Sequence, residues 1–202
     1  MPPLSENAVR RLNDGAPGWV CDLRQRGYDY FQRLAMPSSK EEVWRYVDLA
    51  FDLADLQLAG EPPAGLAEED EIRAALGAIA GSATIVDGST VAVASETNEV
   101  AFTSLRAALT ERSDGLKRVF GTGAGPDLDR FSAAHHAFFS DGVFLHVPGN
   151  CQVERPLYVD VQAVSEGSVS FPHVTVVVDS NAEVSLVLAF RSSEGRFLVV
   201  NP

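Results

Sequence analysis

The sequence predicts an α+β fold in which a mainly helical first part, residues 1–125, leads into a strand-rich second part, residues 126–202. Three observations carry this reading. Apolar residues recur at helical spacing between Gly18 and Leu34, glycines cluster at Gly121–Gly125, and short β-branched runs take over after Val143.

Ser5 to Leu12 reads as a short helix and Gly18 to Leu34 as a longer one. In the second, Val20, Leu23, Phe31 and Leu34 share a face, with Arg24, Gln25, Arg26 and Gln32 between them. Pro37 ends it. Ser39-Lys-Glu-Glu42 has the form of a capping box, in which the serine hydroxyl accepts from the third helical amide while Glu42 reaches back. It predicts a short helix carrying Trp44 and Tyr46. Gly60 to Asp70, with its Pro, Gly and acidic residues, sustains neither regular period and reads as a mobile loop.

Ala83–Val86 and Thr90–Ala94 flank Asp87-Gly88, a dipeptide that tolerates the positive φ angles of a tight turn, so a hairpin is expected. A short strand near Val100–Phe102 precedes helices capped by Ser104 (through Glu111) and Ser113 (through Phe120). The glycines at 121–125 mark the domain boundary, and Pro126–Phe139 reads as one more helix. β runs follow at Val143–Val147, Leu157–Val164, Val174–Val178 and Val184–Phe190, broken by Pro148-Gly149, Glu166-Gly167 and Ser180-Asn181. Runs of this kind fit a sandwich, a barrel or a solenoid, and periodicity does not choose among them. The last run stops at Val199-Val200-Asn201-Pro202 with no capping element, which predicts an unprotected edge prone to self-association.

Composition narrows the function. The 202 residues carry a formal net charge of -12, with 22% charged and 46% apolar residues. A polyanionic partner such as nucleic acid is disfavoured, because the densest basic run, Arg24 to Arg33, is broken by Asp29 and spread around a helix. The two cysteines, Cys21 and Cys151, lie far apart in no CxxC context, which suits a reducing cytoplasm. No apolar run approaches the ~20 residues needed to cross a bilayer, and Met1 to Asp14 lacks the apolar stretch of a signal peptide.

His135, His136, His146 and Cys151 are the residues with metal-ligand character. Adjacent helical histidines diverge by about 100°, so a convergent three- or four-ligand site is not expected, and the metal set is read as none. The histidines then read as one on a helix surface, one at a helix end and one on a strand. Cys21 reads as a small core filler and Cys151 as a turn residue. The Gly121–Gly125 loop lacks the Lys-Ser/Thr of a phosphate-binding P-loop and is followed by Asp127, so it reads as a connector. Trp44, Arg45 and Tyr46 fit either a docking edge or a cover over the helical core. No nucleophile–base–acid constellation can be picked out, so neither catalytic nor cofactor-binding residues are assigned and no enzyme is expected. The few strand aromatics, mainly Phe144, Tyr158 and Phe171, leave a carbohydrate-binding solenoid or sandwich module as the alternative. A small metal enzyme built on the histidines stands third.

Three stretches, and a fourth segment between the first two, resemble the SufB/SufD family, the SufD branch in particular. Met36-Pro-Ser-Ser-Lys-Glu-Glu-Val-Trp-Arg-Tyr-Val-Asp-Leu49 is similar to the family's P-x-x-x-E-E-x-W-[RK]-Y-T-D-L segment, departing at Val47. Ala137 to Leu157, AFFSDGVFLHVPGNCQVERPL, is similar to its AFFxDGVFIxVPxGxxVExPL, departing at Asn150, where asparagine best tolerates the left-handed conformation of the usual glycine. Pro172 to Val187 resembles a later family strand more loosely, with departures at His173, Asp179 and Leu188, and Glu99 to Leu109 resembles the segment before the linking helices.

This resemblance implies an N-terminal helical domain with a small hairpin element, then the first rungs of a right-handed parallel β-helix, truncated because family members are longer. It implies a scaffold subunit of the SUF (SufBCD) iron–sulfur cluster assembly system that acts through protein–protein contacts. SufB-like and SufC-like subunits are the partners, the latter through a C-terminal region absent here, and a homodimer is possible. The iron–sulfur cluster is expected only in the assembled complex. No functional residue of the family falls within these 202.

Overall fold

The computed structural model describes residues 2–65, 70–120, 123–195 and 197–200. Its helices are α1 (Glu6–Leu12), α2 (Gly18–Arg33), α3 (Glu71–Ala75), α4 (Leu105–Glu111), α5 (Ser113–Val119) and α6 (Arg130–Phe138). Ten strands accompany them: β1 (Gln57–Leu58), β2 (Gly81–Val86), β3 (Ser89–Ser95), β4 (Ala101–Ser104), β5 (Gly142–Val147), β6 (Leu157–Ala163), β7 (Ser168–Ser170), β8 (His173–Val178), β9 (Leu186–Ser192) and β10 (Phe197–Val199). The α+β class holds.

The parallel β-helix does not. The strands form three separate open sheets, ordered β1-β7-β10, β3-β2-β6-β9 and β4-β5-β8, and none closes. Parallel ladders are present, as in β5 on β8 and β6 on β9. Two of the sheets are nonetheless mixed, because β2 pairs antiparallel with β3 and β4 antiparallel with β5. The physical reason is that residues 57–104 supply strands to every sheet, so the later strands stack on earlier ones instead of only on each other. Short, evenly spaced β runs read the same in either arrangement.

Local signals mostly fold as their chemistry dictates. Asp87 and Gly88 take φ of 49° and 81°, both positive as a tight hairpin between β2 and β3 needs. The Asp87 carboxylate also accepts from the Ser165 hydroxyl at 2.6 Å and the Val164 amide at 2.9 Å, which ties the hairpin to the end of β6. Ser104 caps α4 by accepting from the Ala107 amide at 3.2 Å, and Asp129 caps α6 by accepting from Ser132 at 2.8 Å. Asn150 adopts φ 60°, as expected of its turn.

Two helix expectations differ. Residues 39–47 form turns, with Trp44 bonded back to Glu41 and Val47 to Trp44 in i to i−3 steps, and the Ser38 amide donates to the Glu41 carboxylate at 3.0 Å. A single turn of helix gains little unless it buries a face, and Val43 and Tyr46 are 88% and 91% exposed. Ser113 begins α5 without capping it; its hydroxyl accepts from Trp19 Nε1 at 2.8 Å. The loop predicted over Gly60–Asp70 lies partly outside the described residues, as do Gly121 and Thr122 of the glycine-rich connector and Asn201-Pro202 of the final run.

Two main cores result. One gathers α1, α2, α4 and α6 over β7, with Phe31, Phe138 and Phe171 at its centre and the Phe31 and Phe138 rings edge-to-face at 5.5 Å. The other lies between the sheets and is built from Ala83, Ile85, Val143, Leu145, Val147, Leu157, Val159 and Val161. Gly142 joins them, since a Cβ there would overlap the His173 carbonyl oxygen where β5 meets β8. Its neighbour Asp141 accepts from the Arg106 amide at 3.0 Å and the Thr90 amide at 3.3 Å, which accounts for the Asp-Gly pair of the second motif.

Candidate interaction surface

The inter-sheet core is open at one end. Each sheet terminates on a strand from residues 173–199: β8, β9 or β10. In register, Val176 stands beside Leu145, Val178 beside Val147, Leu188 beside Val159 and Phe190 beside Val161. The inner four are buried, whereas Val176, Val178, Leu188 and Phe190 are exposed, Phe190 to 51%. These side chains continue the core's own columns one strand further, with nothing among the described residues laid over them. β-strand edges that also present apolar side chains are templates for pairing with another chain. The signal was present in the sequence: Val174-Thr-Val-Val-Val178 shows no polar alternation, the mark of a strand apolar on both faces.

The opposite face of β6 and β9 carries a polar network that sequence patterning does not point to. Arg191 donates to both oxygens of Asp160, at 3.0 and 2.5 Å, and lies 3.8 Å from Asp70. Gln162 Nε2 donates to Asp160 at 2.5 Å, and the Tyr158 hydroxyl donates to Asp70 at 2.5 Å. Tyr158, Asp160 and Gln162 share a face by the period-two rule, and Asp70 caps α3, so the network clamps the α3 segment onto the sheet. Burial, the Asp70 hydrogen bond and the surrounding carboxylates push the Tyr158 hydroxyl well above its ordinary range. Hydrogen bonding to Asp160 holds Arg191 firmly charged.

The two helical histidines fall elsewhere than expected, while His146 lies on a strand facing a neighbour, as expected. His135 and His136 are both buried. His135 Nδ1 donates to the Val200 carbonyl at 3.1 Å, so its Nε2 accepts from His173 Nδ1 at 2.7 Å. His173 stacks on Phe120 with ring centroids 4.2 Å apart. Burial pushes His135 down to about 3 and His173 to about 4, and it lowers His136, whose Nδ1 donates to the Ser132 carbonyl. All three rings are neutral at pH 7. His146 pairs with Asp179 at 2.9 Å on the surface. Among the described residues no three His, Cys, Asp or Glu side chains converge on one point. Cys151 packs against the inter-sheet core, and Cys21 lies half-buried near the carbonyls of Asn13 and Ala16.

Trp44 rests on Phe131 at 5.6 Å, so it covers the helical core, while Tyr46 projects into solvent. Phe144, Tyr158 and Phe171 are buried and present no aromatic row for a sugar. No helix among the described residues is long and apolar enough to cross a membrane.

Residues 67–159 match the family described as the SufBD protein N-terminal region. The chain is similar to the SufBD family over this stretch. It is 28% identical over 189 residues to the iron–sulfur cluster assembly protein SufD of Bacillus subtilis, covering 88% of this chain and 42% of that protein. It is 23% identical over 200 residues to an iron–sulfur cluster assembly SufBD family protein of Staphylococcus aureus strain USA300, covering 91% of this chain and 43% of the relative. A Staphylococcus saprophyticus member is 29% identical over 92 residues, 46% of this chain and 20% of its own length. The chain therefore spans less than half the length of these SufBD relatives.

Proposed function

We propose that this chain acts as a scaffold segment of the SUF iron–sulfur cluster assembly system, in the cytoplasm, through protein contacts and without a catalytic site of its own. The relatives that share most of its length are named for iron–sulfur cluster assembly. The observation that carries the reading is the exposed core edge: four exposed apolar side chains stand in register with four buried ones, on strands whose outer edges pair with no other described strand. Such a surface gains from being covered, at roughly 25 cal/mol per Å² of apolar area removed from water. A SufB-like subunit or a second copy of the chain is the occupant we propose. Contact with a SufC-like subunit and any cluster are properties of the larger assembly.

The test is co-purification of the chain with SufB-like and SufC-like subunits of its own organism, followed by sedimentation of the chain alone and of the mixtures. The expected result is a complex with the SufB-like subunit or a concentration-dependent dimer, lost when Val176 and Leu188 are replaced by Asp. A chain that stays monomeric in every mixture, or one that hydrolyses ATP by itself, overturns the proposal.

A further inference from the structure

A second site lies in the helical half, away from the open core. Arg24 is an interior cation, only 3% exposed. Its guanidinium donates to the Leu12 carbonyl at 2.5 Å, to Asn13 Oδ1 at 3.3 Å and to the Phe139 carbonyl at 3.1 Å, and it lies 4.5 Å from the centre of the Phe139 ring. Those carbonyls stand at the C-terminal ends of α1 and α6, whose dipoles offset part of the charge. No carboxylate forms an ion pair with it among the described residues, and its Nε is buried without a hydrogen-bond partner. Burial pulls its pKa down to about 10, so it remains charged at neutral pH. A buried charge without a counter-charge is costly, and an orphaned donor on it adds to that cost.

A cavity lies beside Arg24, with the orphaned Nε itself sealed from it. It holds about 350 Å³ and is lined by Arg11, Arg24 and Arg106 with Ser140, against a single acid, Asp14. In a chain of net charge -12 this is a local reversal of sign. Its wall also includes Pro17, where the 16-residue α2 begins without a side-chain cap and without an acidic residue in its first turn. The positive end of the α2 dipole therefore lies at this wall of the cavity. Arginine side chains beside a helix N-terminus suit phosphate oxygens.

We propose that this cavity binds a tetrahedral oxyanion of the phosphate class. Arg11 and Arg106, exposed at its mouth, contact the anion, and the fixed charge of Arg24 and the start of α2 hold it from within. The site is independent of the scaffold surface.

Calorimetric titration of the purified chain with inorganic phosphate at constant ionic strength tests this, with sulfate and acetate as parallel arms. Arg24 is left in place, because removing it would strip α1 and α6 of a donor. The surface variants R11Q and R106Q, singly and together, carry the comparison, with circular dichroism confirming their fold. We expect one saturable site for phosphate, sulfate binding of similar strength, acetate at least tenfold weaker, and at least tenfold loss in the double variant. Heats of dilution alone, acetate binding as well as phosphate, or full binding by the double variant would overturn the assignment.

Discussion

Gly27 decides how closely α2 can approach α6, and replacing it with alanine measures that approach directly. An added Cβ would lie 2.7 Å from the Ala137 amide nitrogen, 2.7 Å from the His136 Cβ and 2.8 Å from the His136 carbonyl carbon. Two of these three atoms are backbone, so no rotamer change relieves the contact. Ordinary van der Waals separation begins near 3.4 Å, which requires the helices to part by several tenths of an ångström along their whole contact. Forced overpacking of this kind costs about 1–3 kcal/mol. Alanine recovers about 1 kcal/mol of helix propensity, so Gly27→Ala loses up to about 2 kcal/mol net. For a chain of this size that lowers Tm by up to about 8 °C. Gly18→Ala in the same helix is the control, since nothing lies within 4 Å of its added Cβ, and it is expected to be neutral or mildly stabilising. Urea unfolding followed by circular dichroism and by Trp19 fluorescence reads both variants. A Gly27→Ala midpoint equal to or above that of Gly18→Ala would refute the close packing of α2 on α6.

Asp160→Ala removes the bidentate partner of Arg191 while leaving the cation about four-fifths buried, so a loss of about 3 kcal/mol is expected in urea. The double variant Asp160→Leu/Arg191→Met should recover most of it, and equal destabilisation of single and double variants would contradict the pairing. Acid should weaken the fold early. Unfolded imidazoles take up protons near pH 6.5, while folded His173 waits until about 4 and His135 until about 3, because both are buried. The unfolded state thus binds more protons in between; stability is full above about pH 7 and falls by about 1.4 kcal/mol per pH unit per group as pH drops through 6.5. Denaturation at pH 7, 6 and 5 checks this, and a His135→Asn variant should show a shallower slope. At Asn150, φ 60° makes glycine a neutral replacement and valine one that costs about 1–2 kcal/mol, as thermal melts of the two variants would show.

Much of the local structure was legible because its causes are local. Asp87-Gly88 turns, Ser104 caps and Asn150 takes a left-handed φ through interactions within a few residues of each other. The capping-box pattern at Ser39 failed for the same kind of reason: the pattern is local, but a one-turn helix survives only if something packs on it, and Val43 and Tyr46 meet solvent. The two helical histidines were misread because adjacent positions on an isolated helix diverge. α6 is enclosed by α2, Phe120, Phe171 and β8, so both directions lead indoors. Arg24 gave no signal at all, since an arginine between helical apolar residues looks like a solvated face until α1 and α6 close over it.

What the sequence determined by itself is the α+β class, the order of most helices and strands, the turn chemistry and the SufBD likeness, because propensity, caps and motifs act over short stretches of chain. Only the tertiary structure decided which strands pair, and so replaced the expected solenoid by three open sheets, two of them mixed. It alone left the core open beside β8 and β9 and sealed a lone guanidinium among helix ends. Pairing and enclosure depend on segments more than a hundred residues apart, and no single stretch carries that information.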